Sequence, residues 1–310
     1  MCRGSYVAVF VLMPTVTMAF SGCGGGGSSH VAVPLAEPEL LPQAVTGTLA
    51  WASDRTGNLE IYTKTLGVPG IKRLTHNSAL DSAPAWSPDG SKIAFRSNRA
   101  GNDEIYRMNA DGTGVKRLTN YLSFDWEPEW SPGGTKIAWT RFVNGNWDIY
   151  TMNADGTNQQ PFTTDPATDM QAVYSPNGAR LAFRSNRAGN EEIYSIKTDK
   201  TGLKRLTNNP ATDAWPAWSP DGTRIAFQSD RDGNGEIYMM HADGTGVTRL
   251  TDHPATDSMP QWSPDGASII FASLRSGNWD LFSMKADGTN VRQVTSNPAT
   301  DWEPAWFVLH

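Results

Sequence analysis

The chain has 310 residues, 38% hydrophobic, 19% charged and 10% aromatic, with 29 Gly and 20 Pro, a balance too rich in aromatic residues for a disordered polypeptide. Its 26 Lys and Arg stand against 32 Asp and Glu, a net charge of −6 without any basic run, and that excludes nucleic acid as the expected partner. The only cysteines, Cys2 and Cys23, lie near the N-terminus, and the five His are scattered, so neither a disulfide framework nor a zinc centre is expected to hold the fold.

The first element is an apolar stretch of 14 residues from Val7 to Phe20, preceded by Arg3. It is too short to span a bilayer but suits the apolar region of a signal peptide. The Phe20-Ser21-Gly22-Cys23 sequence that follows resembles the lipobox of bacterial lipoproteins; an ordinary secretory signal cut near Gly22 is the other reading. The resemblance implies a leader over residues 1–22 and lipidation at Cys23. Gly24, where an Asp would mark inner-membrane retention, implies an outer-membrane anchor facing the periplasm, with the lipid as the only membrane contact. The Gly/Ser run from Gly24 to Ser29 and the Pro-rich stretch from Val31 to Gln43 make residues 23–45 a linker, flexible and then extended.

From residue 46 to 310 the chain repeats with a period of 44. Trp86, Trp130, Tyr174, Trp218, Trp262 and Trp306 keep that step without insertion. So do the triplets beginning at Leu49, Ile93, Ile137, Leu181, Ile225 and Ile269, and the pairs Ile61-Tyr62 to Leu281-Phe282. Short apolar segments are separated by turn sequences such as Ser87-Pro88-Asp89-Gly90 and Asn109-Ala110-Asp111-Gly112. Repeats of this length with four short segments each predict propeller blades. The fold expected is all-β: a six-bladed β-propeller with four antiparallel strands per blade. The repeat at Leu49 starts on its second strand, and the missing first strand stands at the C-terminus around Pro304-Ala305-Trp306. A one-plus-three closure of the first blade follows.

The string Pro216-Ala217-Trp218-Ser219-Pro220-Asp221-Gly222-Thr223-Arg224-Ile225-Ala226-Phe227, with Ser229-Asp230-Arg231-Asp232-Gly233-Asn234 and Glu236-Ile237-Tyr238 after it, resembles the repeat of TolB-type propellers. The resemblance covers residues 46–310. It implies a periplasmic scaffold, a sensor module or a domain of an enzyme, and it is more specific for fold than for function.

If the Trp strand is innermost, the Asn-Pro-Ala-Thr-Asp loops and the Ser-Asp/Asn-Arg loops share one end of the ring, the top, where the copies differ. Seven of the twelve Trp fall at repeated strand positions and are expected to be interblade core: Trp86, Trp130, Trp218, Trp262 and Trp306 on inner strands, Trp51 and Trp139 on second strands. The other five, Trp126, Trp147, Trp215, Trp279 and Trp302, stand in or beside top loops. They read either as cover for neighbouring loops or as a stacking platform for a carbohydrate ring or a peptide side chain.

Asp81, Asp125, Asp169, Asp213, Asp257 and Asp301 open the six inner strands, which places six carboxylates at the channel mouth. Either they hold a hard cation such as calcium or a cationic side chain from a partner, or they turn aside to accept backbone N–H groups. Arg55, Arg99, Arg187, Arg231 and Arg275 recur in the second hairpin, with Val143 in the third copy. Each arginine is expected to pair with the carboxylate five residues on (Glu60, Glu104, Glu192, Glu236 or Asp280), and the third copy keeps Asp148 without the arginine. No nucleophile elbow, metal-ligand pair or phosphate loop occurs. The function expected is a monomeric, membrane-tethered binding or scaffolding module without catalytic residues or cofactor, its partner a protein or glycan at the top face. The alternative is a carbohydrate-active propeller enzyme such as a polysaccharide lyase.

Overall fold

A computed structural model describes residues 47–308; the leader, Cys23 and the whole linker lie outside the described residues. Six four-stranded antiparallel sheets follow one another around a central channel. Blade one holds β1 (Thr48–Ser53), β2 (Glu60–Thr65) and β3 (Lys72–Arg73). Blade two is β4 (Asp81–Trp86), β5 (Lys92–Ser97), β6 (Glu104–Asn109) and β7 (Lys116–Arg117). Blade three is β8 (Asp125–Trp130), β9 (Lys136–Val143), β10 (Asn146–Asn153) and β11 (Gln160–Pro161). Blade four is β12 (Asp169–Tyr174), β13 (Arg180–Ser185), β14 (Glu192–Lys197) and β15 (Lys204–Arg205). Blade five is β16 (Asp213–Trp218), β17 (Arg224–Ser229), β18 (Glu236–His241) and β19 (Thr248–Arg249). Blade six is β20 (Asp257–Trp262), β21 (Ser268–Ser273), β22 (Asp280–Lys285) and β23 (Arg292–Gln293). The last strand, β24 (Asp301–Phe307), pairs antiparallel with β1 and completes blade one as its inner strand.

The core lies between blades. One cluster joins Leu49, Trp51 and Tyr62 of blade one to Ile270, Ala272 and Leu281 of blade six; another joins Ala94, Ile105 and Leu118 of blade two to Trp130, Ile137 and Trp139 of blade three. The second strands, apolar on both faces, are the most deeply buried, because a neighbouring blade covers each side. Of the inner-strand tryptophans, Trp130 and Trp262 are buried, whereas Trp86, Trp218 and Trp306 are half-buried and pack on the interblade clusters.

Every inner strand carries a bulge. The register with the second strand breaks at the same place in all six blades. The residues there, Ala83, Glu127, Gln171, Trp215, Met259 and Glu303, have φ between 49° and 58°. Proline follows in five of the six, at 84, 128, 216, 260 and 304. Proline has no N–H to give the ladder, so a strand that contains it bulges there. A left-handed non-glycine residue costs roughly 1–2 kcal/mol, and here the cost recurs six times around one channel.

Candidate functional site

The six inner-strand aspartates begin their strands as expected, but their side chains are fully buried and do not line the channel. Each is ion-paired to an arginine of its own blade: Arg55–Asp301 at 2.8 Å, Arg99–Asp81 at 2.7 Å, Arg141–Asp125 at 2.7 Å, Arg187–Asp169 at 2.8 Å, Arg231–Asp213 at 3.0 Å and Arg275–Asp257 at 2.5 Å. In the five blades other than the third, a serine two residues before the arginine accepts its Nε–H. Burial pushes the carboxyls of Asp125, Asp169, Asp213 and Asp257 up, against the opposing pull of these hydrogen bonds and charges. The expected pairing of each arginine with the carboxylate five residues on is therefore corrected, as is the alternative of backbone N–H partners for the aspartates. Glu60, Glu104, Glu192 and Glu236 instead take the outer-strand arginines Arg73, Arg117, Arg205 and Arg249. The reason is the ladder, which sets Tyr62 opposite Arg73 and so brings that guanidinium to the head of β2. Among the described residues, no group of three or more His, Cys, Asp or Glu is gathered as metal ligands would be.

The five top-loop tryptophans separate into three places. Trp279 and Trp302 pack on the cluster at the seam between blades six and one. Trp215 is a bulge residue on the channel wall, its backbone N–H donating to Gln171 Oε1 at 2.9 Å. Trp126 and Trp147 meet each other on blade three, ring centroids 4.4 Å apart. Phe142 packs tilted against Trp147 at 5.0 Å, and Phe124 closes the circuit to Trp126 at 6.4 Å and to Phe142 at 6.5 Å. The Trp126 indole N–H donates to Asp103 at 2.8 Å, and the Arg96 guanidinium lies over its ring at 5.1 Å.

Above these rings the loop preceding β8 projects Tyr121, Leu122 and Phe124, exposed by 42%, 101% and 40%. Leu122 stands where blades four, five, six and one have Pro166, Pro210, Pro254 and Pro298. In the other blades Asn98, Asn186, Asp230 or Asp54 accepts a backbone N–H from this loop with its side chain, save Leu274 in blade six. Blade three has Phe142 there, and a ring contact to Phe124 replaces the polar clasp. The hairpin beneath is regular where the others are looser: β9 and β10 run to eight residues each and close on Asn144-Gly145, both at positive φ, a two-residue type I′ turn. Thus blade three alone combines an apolar loop, an aromatic cluster and a stiff hairpin.

The channel is the second feature. A cavity of ≈ 200 Å³ is lined by all six inner strands. The Ala83 N–H donates to Glu303 Oε2 at 2.7 Å and the Gln171 N–H to Glu127 Oε2 at 3.1 Å, each bond crossing from one blade to the next. Burial pushes both glutamate carboxyls up, and Arg184 and Arg96 oppose it at Glu127 and Glu303 respectively. Glu129, two residues beyond Glu127, is pushed up to about 8 by burial alone. This ring of bulge side chains was not singled out from the sequence, although the recurring proline inside an apolar strand is its signal.

The family model described as the TolB beta propeller domain matches residues 36–126, 120–215 and 204–308. No curated protein sequence matches the chain. Among solved structures, TolB from Acinetobacter baumannii is 26% identical with a TM-score of 0.77, over 86% of this chain and 67% of that one. A structure from Agrobacterium tumefaciens, also described as TolB, is 22% identical with a TM-score of 0.67, over 86% of this chain and 99% of that one. An oligogalacturonate lyase from Vibrio parahaemolyticus, 15% identical with a TM-score of 0.54 over 82% of this chain and 73% of that one, shares the fold alone.

Proposed function

This chain belongs to the TolB beta propeller domain family, and from that membership we propose that it is a non-enzymatic binding module whose protein partner docks on the top face of blade three. The observation that carries the reading is the fully exposed Leu122 between Tyr121 and Phe124, in a loop that Phe124 anchors to Trp126 and Phe142 of the aromatic cluster. Contiguous exposed apolar surface mounted on a rigid element is the signature of a contact site, and aromatic anchors dominate binding energy in such sites. The projecting apolar loop favours a protein groove over a sugar ring, which would need open ring faces beside polar groups. Calcium at the inner-strand aspartates has no part in this reading, because each carboxylate already holds a guanidinium. A lipid on Cys23 would tether the module in the cell envelope, at the outer membrane and facing the periplasm.

Affinity capture from an envelope extract, with the full chain and with Leu122→Ser/Phe124→Ser, tests the proposal. A partner retained by the first and lost by the second supports it. Equal capture by both, or binding to a glycan array in place of a protein, contradicts it.

A further inference from the structure

Glu129 breaks the repeat where the repeat is otherwise plain. The residue before the inner-strand aromatic is Ala85, Val173, Ala217 or Ala305 in four other blades and Gln261 in the fifth. Blades three and six stand opposite one another in a ring of six, so Glu129 and Gln261 occupy opposite walls of the channel, and both line the cavity together with Ala85, Val173 and Ala305. The next blade departs too: Tyr174 replaces the tryptophan found in the other five. Its phenol is pushed up to about 12 by burial and then by the charge of Glu129.

Glu127 and Glu303, the other carboxylates lining the channel, accept backbone N–H groups and have Arg184 and Arg96 near them. Among the described residues Glu129 accepts no hydrogen bond and has no cation beside it; burial is the sole influence on its carboxyl. Half-buried on the channel wall and without a partner, the carboxyl has its protonated form favoured by desolvation until a cation arrives. From the unpartnered carboxyl, the amide opposite and the small aliphatic walls, we infer that the channel at Glu129 and Gln261 is a binding site for a primary alkylammonium group. The ammonium donates to the Glu129 carboxylate and the Gln261 carbonyl. Ala85, Val173 and Ala305, which share this level of the channel, are too small to fill it and leave its middle open for the ammonium. The residues do not gather three metal ligands, whereas one compact centre with three donors needs only two acceptors and a water. A lysine side chain of a peptide and a free alkyl amine share this chemistry. The site is inside the ring and does not depend on the blade-three docking surface.

Isothermal titration of the full chain at pH 7 in two buffers of different ionisation enthalpy tests it, with n-butylammonium as probe and n-butanol and tetramethylammonium as controls. Saturable binding of n-butylammonium is expected, with release of most of one proton per site as Glu129 ionises. Neither control binds. Glu129→Gln lowers affinity by about tenfold or more and abolishes proton release; Gln261→Ala weakens binding but keeps the proton release. Cadaverine and Nα-acetyl-lysine N-methylamide, titrated in parallel, show by the tighter of the two whether a free amine or a peptide is the better fit. Equal affinity in Glu129→Gln with an unchanged circular dichroism spectrum, binding without proton release, or binding of the controls as tight as that of n-butylammonium would overturn the assignment, as would no binding at all.

Discussion

Arg141 holds Asp125 from two residues earlier in the chain than the arginine of any other blade holds its own aspartate. Both guanidinium–carboxylate contacts are 2.7 Å, Nε to Oδ1 and Nη2 to Oδ2. Arg141 occupies the position of Ser53, Ser97, Ser185, Ser229 and Ser273, and Val143 that of the usual arginine. Moving the cation two places along a strand keeps it on the same face. The displacement thus preserves the ion pair and frees the hairpin tip to close on Asn144-Gly145.

Arg141→Ala is expected to destabilise the propeller by ~3–5 kcal/mol, because it leaves a buried carboxylate without its partner. Asp125→Asn added to it should recover part of that loss, so the two changes are non-additive. Urea unfolding of the wild type, both single variants and the double variant measures the coupling; additive losses would mean that the pair does not act as a unit.

At the seam, Trp302 and Trp306 pack on the same cluster, so the contrast between a surface Trp302 and a core Trp306 that their repeat positions imply does not hold. Trp302→Ala and Trp306→Ala are each expected to cost about 3 kcal/mol, while Leu122→Ser stays within about 0.5 kcal/mol as a surface change. Thermal melts of the three variants would show two comparable drops and one negligible one. A silent Trp302→Ala would restore the surface reading.

Gly90 and Gly134 occupy the same turn in blades two and three with φ of 65° and 66°. A Cβ at Gly90 would overlap the Phe307 ring, which also contacts Trp86 at 5.5 Å, whereas at Gly134 the nearest atom is Pro88 Cδ at 3.8 Å. Alanine at either site incurs the left-handed strain of roughly 1–2 kcal/mol; Gly90→Ala adds overpacking of about 1–3 kcal/mol. The difference between their melting temperatures isolates how firmly Phe307 latches blade one onto blade two.

Glu129 makes stability depend on pH. Its carboxyl is raised from the ordinary 4.5 to about 8 in the folded chain, so between these values the native state binds more protons than the unfolded state. Stability then falls as pH rises through that window, by up to ~1.4 kcal/mol per unit, and is flat below it. Between pH 5 and 8 the wild type is expected to lose a few kcal/mol more than Glu129→Gln; parallel pH profiles for the two would contradict the raised carboxyl.

The six blades, their four strands and the C-terminal closure were legible in the sequence, since a fixed period of 44 with strand-length apolar segments leaves no other architecture. The ion pairs were less so. Asp81 and Arg99 are 18 residues apart, whereas Glu104 is five from the same arginine, and proximity in sequence favoured the wrong carboxylate. The bulge ring left its trace in Pro84, Pro128, Pro216, Pro260 and Pro304, but the positive φ belongs to the residue before each, whose side chains share no type. Trp279 and Trp302 stand at positions that vary between blades; only the cluster at the seam of blades six and one half-buries them. Trp126 and Trp147 were singled out, but the exposed loop of Tyr121, Leu122 and Phe124 that crowns them was not, because a departure from a repeat is easiest to see in its largest residues.

Photocross-linking in intact cells distinguishes blade three from its copies most directly. A photoreactive residue is placed in turn at position 122 and at the equivalent positions 166, 210, 254 and 298 of the full chain. One discrete protein adduct at 122, absent from the other four, is the expected result. Adducts of equal yield at all five positions, or none at 122 while another blade gives one, would contradict a docking surface on blade three.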